Sequence, residues 1–207
     1  MTRFANIVSI IFHPLLMMTY GVLLAMSYTH LAIFPLAMKA CLLGGVLIST
    51  VIIPGISVVL MIKKGKAGDM ELTQKNERIV PYIVFMAGNI MCLWFFSQLR
   101  MPFWLLSMFT GVSFALLLAL CINFVWKISA HALALGGLLG AIMGMSYIQM
   151  TNPYILFTTV ILAGGLTCTA RIILGKHTLM QVICGFLLGF ACTFTSSLLN
   201  ISLLLIK

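Results

Sequence analysis

Acidic residues are almost missing from this chain: three in 207 positions, Asp69, Glu71 and Glu77, all inside one polar stretch at 63–78. The shortage excludes most carboxylate chemistry. A magnesium or calcium site takes several oxygen ligands, carboxylates among them, and an acid-pair mechanism needs two carboxyl groups in one pocket. The aspartate-rich motifs of metal-dependent prenyltransferases and alcohol phosphotransferases have no counterpart here, and neither a metal nor another cofactor is expected. Paired cysteines are missing too. Cys41, Cys92, Cys121, Cys168, Cys184 and Cys192 are scattered through apolar runs with no C-x-x-C pair, which reads as buried free thiols and not as disulfides or metal ligands. Histidine, arginine, lysine and the backbone remain for catalysis.

What is abundant is apolar surface. Hydrophobic residues make up 62% of the chain and charged residues 7%, with a mean hydropathy of +1.19, far outside a soluble domain. At roughly 20 residues per span, 207 residues make a single all-α transmembrane bundle of six or seven helices with no separate soluble domain. Apolar runs between breakers place spans at 4–28, 36–62, 79–99, 102–125, 130–150, 154–174 and 179–206. The first run is too long for a signal-peptide core and lacks a small-residue cleavage site, so it reads as a retained helix. Arg100-Met101-Pro102 is a turn so short that the flanking spans form an antiparallel hairpin. The last run exceeds a span and is expected to tilt, bend or end in the interface. Gly136, Gly140 and Gly144, with Gly185 and Gly189, recur at helical spacing and predict close packing of the fifth and seventh spans. The net charge of +9 is spread over span boundaries, which argues against a nucleic-acid surface.

The polar interruptions at 63–78, 126–129 and 171–177 are each separated from the next by two spans. Two crossings return the chain to its starting side, so the three are expected to meet on one membrane face. Lys75, Arg78, Lys127, Ser129, His131, Arg171, Lys176 and His177 then surround one site. A cationic, carboxylate-poor cluster at a lipid boundary points to an anionic ligand, phosphate being the commonest on lipids. Plain structural readings stand beside this one. An arginine at a boundary snorkels, Lys63, Lys64 and Lys66 read as topology or headgroup charges, and Lys176 needs no role beyond an interfacial anchor. His13 and His30 have no motif neighbours and are not expected at the site.

The segments Lys75-Asn76-Glu77-Arg78-Ile79-Val80-Pro81, Lys127-Ile128-Ser129-Ala130-His131 and Ala170-Arg171, with His177 after five intervening residues, resemble in order the three signature motifs of the type 2 phosphatidic acid phosphatase family. The chain is similar to a divergent branch. The family's first-motif lysine falls on Glu71, Ile128 and Ala130 replace proline and glycine, Ala170 replaces serine, and Gln181 stands at the aspartate that orients the nucleophile. The resemblance implies a metal-independent phosphatase working through a phosphohistidine. His177 would attack phosphorus, His131 would protonate the leaving oxygen, and Arg78, Arg171 and Ser129, with Lys75 and Lys127, would hold phosphoryl oxygens. Two arginine forks supply the charge neutralisation that phosphoryl transfer demands, and imidazole serves as nucleophile or acid near neutral pH. Ser129 also reads as an N-cap, and Thr178-Leu179-Met180-Gln181 as a capping box in which Gln181 additionally accepts the His177 proton.

The implied partner is a membrane phospholipid or isoprenoid phosphate. Non-catalytic binding or translocation of a lipid phosphate, and lipid phosphotransfer, are the alternatives. Orientation is contested. Arg3, Lys63, Lys64, Lys66 and Lys176 outnumber Lys39, Arg100 and Lys207 on the opposite face, which puts the site in the cytoplasm by the positive-inside rule; the resemblance implies a bacterial inner membrane and a periplasmic site.

Overall fold

Two of the membrane spans are broken, and both breaks follow from proline. In the computed structural model, which describes residues 1–68, 72 and 74–205 (200–205 by backbone alone), the first span is α1 (Thr2–Ile11), a 3-10 turn at Pro14–Leu16 and α2 (Met17–Tyr28). Pro14 has no amide hydrogen to give, and its ring disfavours a helical His13. His13 is extended, at φ −65° and ψ 135°, and its Nδ1 accepts the Leu15 amide at 3.4 Å. The second span is α3 (Leu36–Leu47), a π-helical turn at Ile48–Ile52 and α4 (Ile53–Lys63). Pro54 leaves the Thr50 carbonyl without its usual donor, and the wide turn just before it carries the chain past the missing bond.

The remaining spans are single helices: α5 (Ile79–Gln98), α6 (Phe103–Val125), α7 (Ala130–Ile148), α8 (Tyr154–Ile173) and α9 (Leu179–Leu205). Among the described residues, seven helical segments are long and apolar enough to cross a membrane, so the chain is an all-α polytopic membrane protein. Ile206 and Lys207, like Asp69 and Glu71, lie outside the described residues. All six cysteines are free.

α7 is the central helix, with 78% of its most apolar window buried, against 33% to 44% in the other spans. Its glycines explain how it packs. A Cβ on Gly136 would strike the Phe186 carbonyl, and one on Gly189 of α9 would strike the Leu133 carbonyl, so α7 and α9 touch backbone to backbone. Thr193 of α9 adds a hydroxyl bond to the Gly137 carbonyl at 2.9 Å.

Candidate functional site

The three polar loops are tied to one another. Lys75 Nζ donates to the Phe124 carbonyl at 3.1 Å, Asn123 Nδ2 to the Lys75 carbonyl at 2.7 Å, and Arg78 Nη1 to the Ile128 carbonyl at 3.0 Å. The Ser129 amide donates to the Gln181 carbonyl at 3.1 Å. The Lys75–Phe124 bond is exposed, whereas the Arg78–Ile128 bond is buried, so losing the latter would leave a buried polar group unpaired at large cost.

Beneath the loops lies a cavity of about 560 Å³, and Arg78, His131, Arg171 and His177 all line it. All four are buried, at 6%, 8%, 2% and 6% exposure. The described lining has two guanidiniums and no carboxylate. Glu77, the one described acid, is spent on the Gly68 and Gln74 amides at 3.0 and 3.1 Å. Two guanidiniums with no carboxylate in the described lining give the cavity a positive field.

Arg171 and His177 face the same space because of the turn between them. α8 ends with the Gly175 amide on the Ile172 carbonyl and the Lys176 amide on the Arg171 carbonyl, at 2.9 and 3.1 Å. This pairing requires a left-handed residue, and Gly175 supplies it at φ +65°. The next helix opens with the predicted capping box: Gln181 N donates to Thr178 Oγ1 at 3.4 Å, and Thr178 N donates to Gln181 Oε1 at 3.2 Å. Gln181 Oε1 also lies 3.0 Å from His177 Nδ1. Only an oxygen accepts from a backbone amide, so the Thr178 bond fixes the amide's orientation, and the imidazole must carry its proton on Nδ1. Nε2 is left with its lone pair.

Burial pushes the His177 pKa down to about 4; the bond to Gln181 opposes the shift, and the positive charges of Arg78, Lys127 and Arg171 add to it. The ring is therefore neutral at physiological pH. A neutral ring with a bare Nε2 is the nucleophilic form.

Ser129 is the N-cap of α7, its Oγ accepting the Ala132 amide at 3.4 Å. Ser129, Lys75, Lys127 and Gln181 do not line the cavity among the described residues. Lys75 instead donates to the carbonyl end of α6, and Lys127 acts on His177 through its charge.

Sequence reasoning missed that α1 belongs to the site. His131 Nε2 lies 3.2 Å from the Ser9 carbonyl, Arg171 Nη1 donates to Ser9 Oγ at 3.3 Å, and the His13 ring meets His131 edge-on at 5.6 Å. A carbonyl only accepts, so the neutral His131 ring carries its proton on Nε2. His13 lines the cavity, contrary to expectation, as does Tyr82, one turn along α5 from Arg78 and beside its guanidinium. The signal for α1 was present: Asn6 and Ser9 are polar residues three apart in an apolar helix, hence on one face, and His13 follows just past its end.

Fold and cavity together define a polytopic helical membrane protein with a buried cationic pocket beneath one face, free of carboxylates among the described residues. The chain matches no protein-family model, no curated protein and no solved structure.

Proposed function

We propose that the protein is a metal-independent phosphatase acting on a lipid phosphomonoester or polyprenyl diphosphate. One observation carries this reading: His177 and two buried arginines line one cavity, with Gln181 holding the His177 proton on Nδ1. Nε2 attacks phosphorus as the bond to the departing oxygen breaks, giving a phosphohistidine and an alcohol or lipid monophosphate. Doubly protonated His131 delivers a proton to that oxygen and becomes neutral; water then attacks phosphorus and gives a proton back to His131 as the P–N bond breaks, which releases inorganic phosphate and returns both histidines to their starting states. Arg78 and Arg171 neutralise the equatorial oxygens. An amide in place of a carboxylate orients the imidazole but stabilises its cation less, so we expect a reduced rate.

A second reading, a non-catalytic lipid-phosphate binder or translocator, draws support from the His131 proton, which points at the Ser9 carbonyl. As an acid, His131 must be doubly protonated, donating from Nδ1 while Nε2 stays on Ser9, or from Nε2 after releasing Ser9. Transfer to an acceptor other than water would use the same residues.

The test is phosphate release in EDTA by the native chain and His177→Ala, across phosphatidic acid, phosphatidylglycerol phosphate and undecaprenyl diphosphate. Release that survives chelation and vanishes with His177 supports the enzyme. Binding of these lipids without release overturns it in favour of the binder. We propose a bacterial inner-membrane location with the site periplasmic, against the cation count. Ala67 is buried and Lys66 exposed, so labelling of Lys66→Cys by an impermeant thiol reagent in intact cells is expected; labelling only after lysis puts the site in the cytoplasm.

A further inference from the structure

The cavity is much deeper than a phosphate requires. Along α7 it is lined by Ala130, Ala134, Gly137, Leu138 and Ala141, which recur at three and four positions and so form one stripe. At 1.5 Å per residue that stripe runs about 16 Å inward, more than half of a ~30 Å hydrocarbon core. The small side chains on it keep the space open. α6 runs toward the site face, so its lining residue Met108 marks the far end, and Phe85 of α5 lies two turns beyond Arg78. The charged groups thus sit at one end of a long apolar cavity.

Its side reaches the bilayer-facing surface at Ile10, which is 69% exposed. Ile10 of α1 and Pro54, Gly55 and Val58 of α4 line opposite edges, and a Cβ added at Gly55 would meet nothing within 4 Å. The π turn before Pro54 sets the course of α4 here. A lipid entering between α1 and α4 need not leave the membrane.

We infer that the cavity holds one hydrocarbon chain, making the ligand a single-chain lipid phosphate in preference to a diacyl one. The phosphate end of this inference rests on the reading above; the chain end rests on size and lining. At roughly 30 Å³ per water-sized group, the 560 Å³ cavity takes about 19 such groups. A phosphate uses about five, leaving room for roughly 14 carbons. One chain of about three isoprene units or a medium acyl length fits within it, and the second chain of a common phospholipid would have to lie outside, between α1 and α4. A longer single chain would trail out between α1 and α4.

The experiment uses the full chain in phosphatidylcholine nanodiscs with hexadecyl phosphate carrying a photoreactive diazirine at carbon 12, cross-links being located by peptide mass spectrometry. Labelling is expected on Met108 and on α7 near Leu138 and Ala141, and its loss is expected in Ala141→Phe. Labelling of lipid-facing Phe114, Leu117 or Leu187 instead overturns the inference on the native chain, whether or not the variant folds. Farnesyl phosphate is expected to displace the probe at about tenfold lower mole fraction than dioleoyl phosphatidate, since a second chain must overpack the cavity or remain outside. Equal displacement overturns the single-chain assignment. If labelling follows expectation but no phosphate is released from hexadecyl or farnesyl phosphate, the catalytic reading fails and the chain cavity stands.

Discussion

The two membrane faces of the protein solve the same problem of ending helices with different chemistry. On the site face, α4 and α8 terminate at Gly65 and Gly175, both at φ +65°. On the other face, α5 and α7 end in the same hydrogen-bond pattern, but Arg100 and Met150 occupy the left-handed position at φ 51° and 52°, where a side chain costs roughly 1–2 kcal/mol. The site face also binds its loops to one another over long sequence separations, 49 positions for Lys75 to Phe124 and 50 for Arg78 to Ile128. The other face makes short turns, Arg100 to Pro102 and Met150 to Pro153. In the turns that end helices, strain is tolerated where only connection is needed. Over the cavity the helices end in glycine turns and the loops are cross-linked, and the one strained residue described there, Leu72 at φ 52°, gives its carbonyl to Arg78 Nε at 2.9 Å.

The widest gap between the faces is expected in catalysis. His177→Ala should lower phosphate release by about 10⁴-fold or more, as loss of a covalent nucleophile does, whereas His30→Ala on the other face should leave it within twofold; comparable losses at both would break the contrast. Arg78→Lys comes next. Its guanidinium bridges Leu72 and Ile128 carbonyls at 2.9 and 3.0 Å, and a lysine cannot hold both and still present a fork to phosphate. A drop in kcat/KM of about 100-fold is expected, against no measurable change in Arg100→Lys.

A pH profile sharpens the comparison within the site face. Protonating His177 removes the nucleophile, so with its pKa near 4 the acid limb of kcat/KM from this group lies near pH 4. Gln181→Glu adds a negative charge that favours the imidazolium, raises the pKa and moves the limb upward toward 6.5. A limb that does not move in this variant removes the support for Gln181 as the orienting group. The smallest effects concern the turns. Arg100→Gly and Met150→Gly should each stabilise by about 1 kcal/mol, and Gly175→Ala should cost about as much, read as thermal midpoints in detergent. Stabilisation of similar size from Gly65→Ala would erase the distinction.

The spans were legible because apolar length is a direct consequence of the bilayer, and the capping box, the Ser129 cap and the α7–α9 glycine contact were legible because each is a local pattern with one geometric meaning. The breaks in the first two spans were hidden inside continuous apolar runs, although Pro14 and Pro54 marked them. His13 was missed for a different reason. Its partner His131 lies across the fold, and the brace from Ser9 to His131 spans 122 positions, a distance over which sequence spacing carries no information. Lys75 misled because charge alone does not reveal whether an ammonium meets a ligand or the carbonyl end of α6.

One oxygen in this structure answers to two masters. Gln181 Oε1 receives both the Thr178 amide, which starts α9, and the His177 ring proton, which sets the tautomer. The readiness of the imidazole and the integrity of the first turn of α9 are thus one equilibrium observed from two ends. Amide hydrogen exchange at Thr178 would therefore serve as a clock for how often the imidazole is released, and a phosphate that slows that exchange would be reporting its own capture.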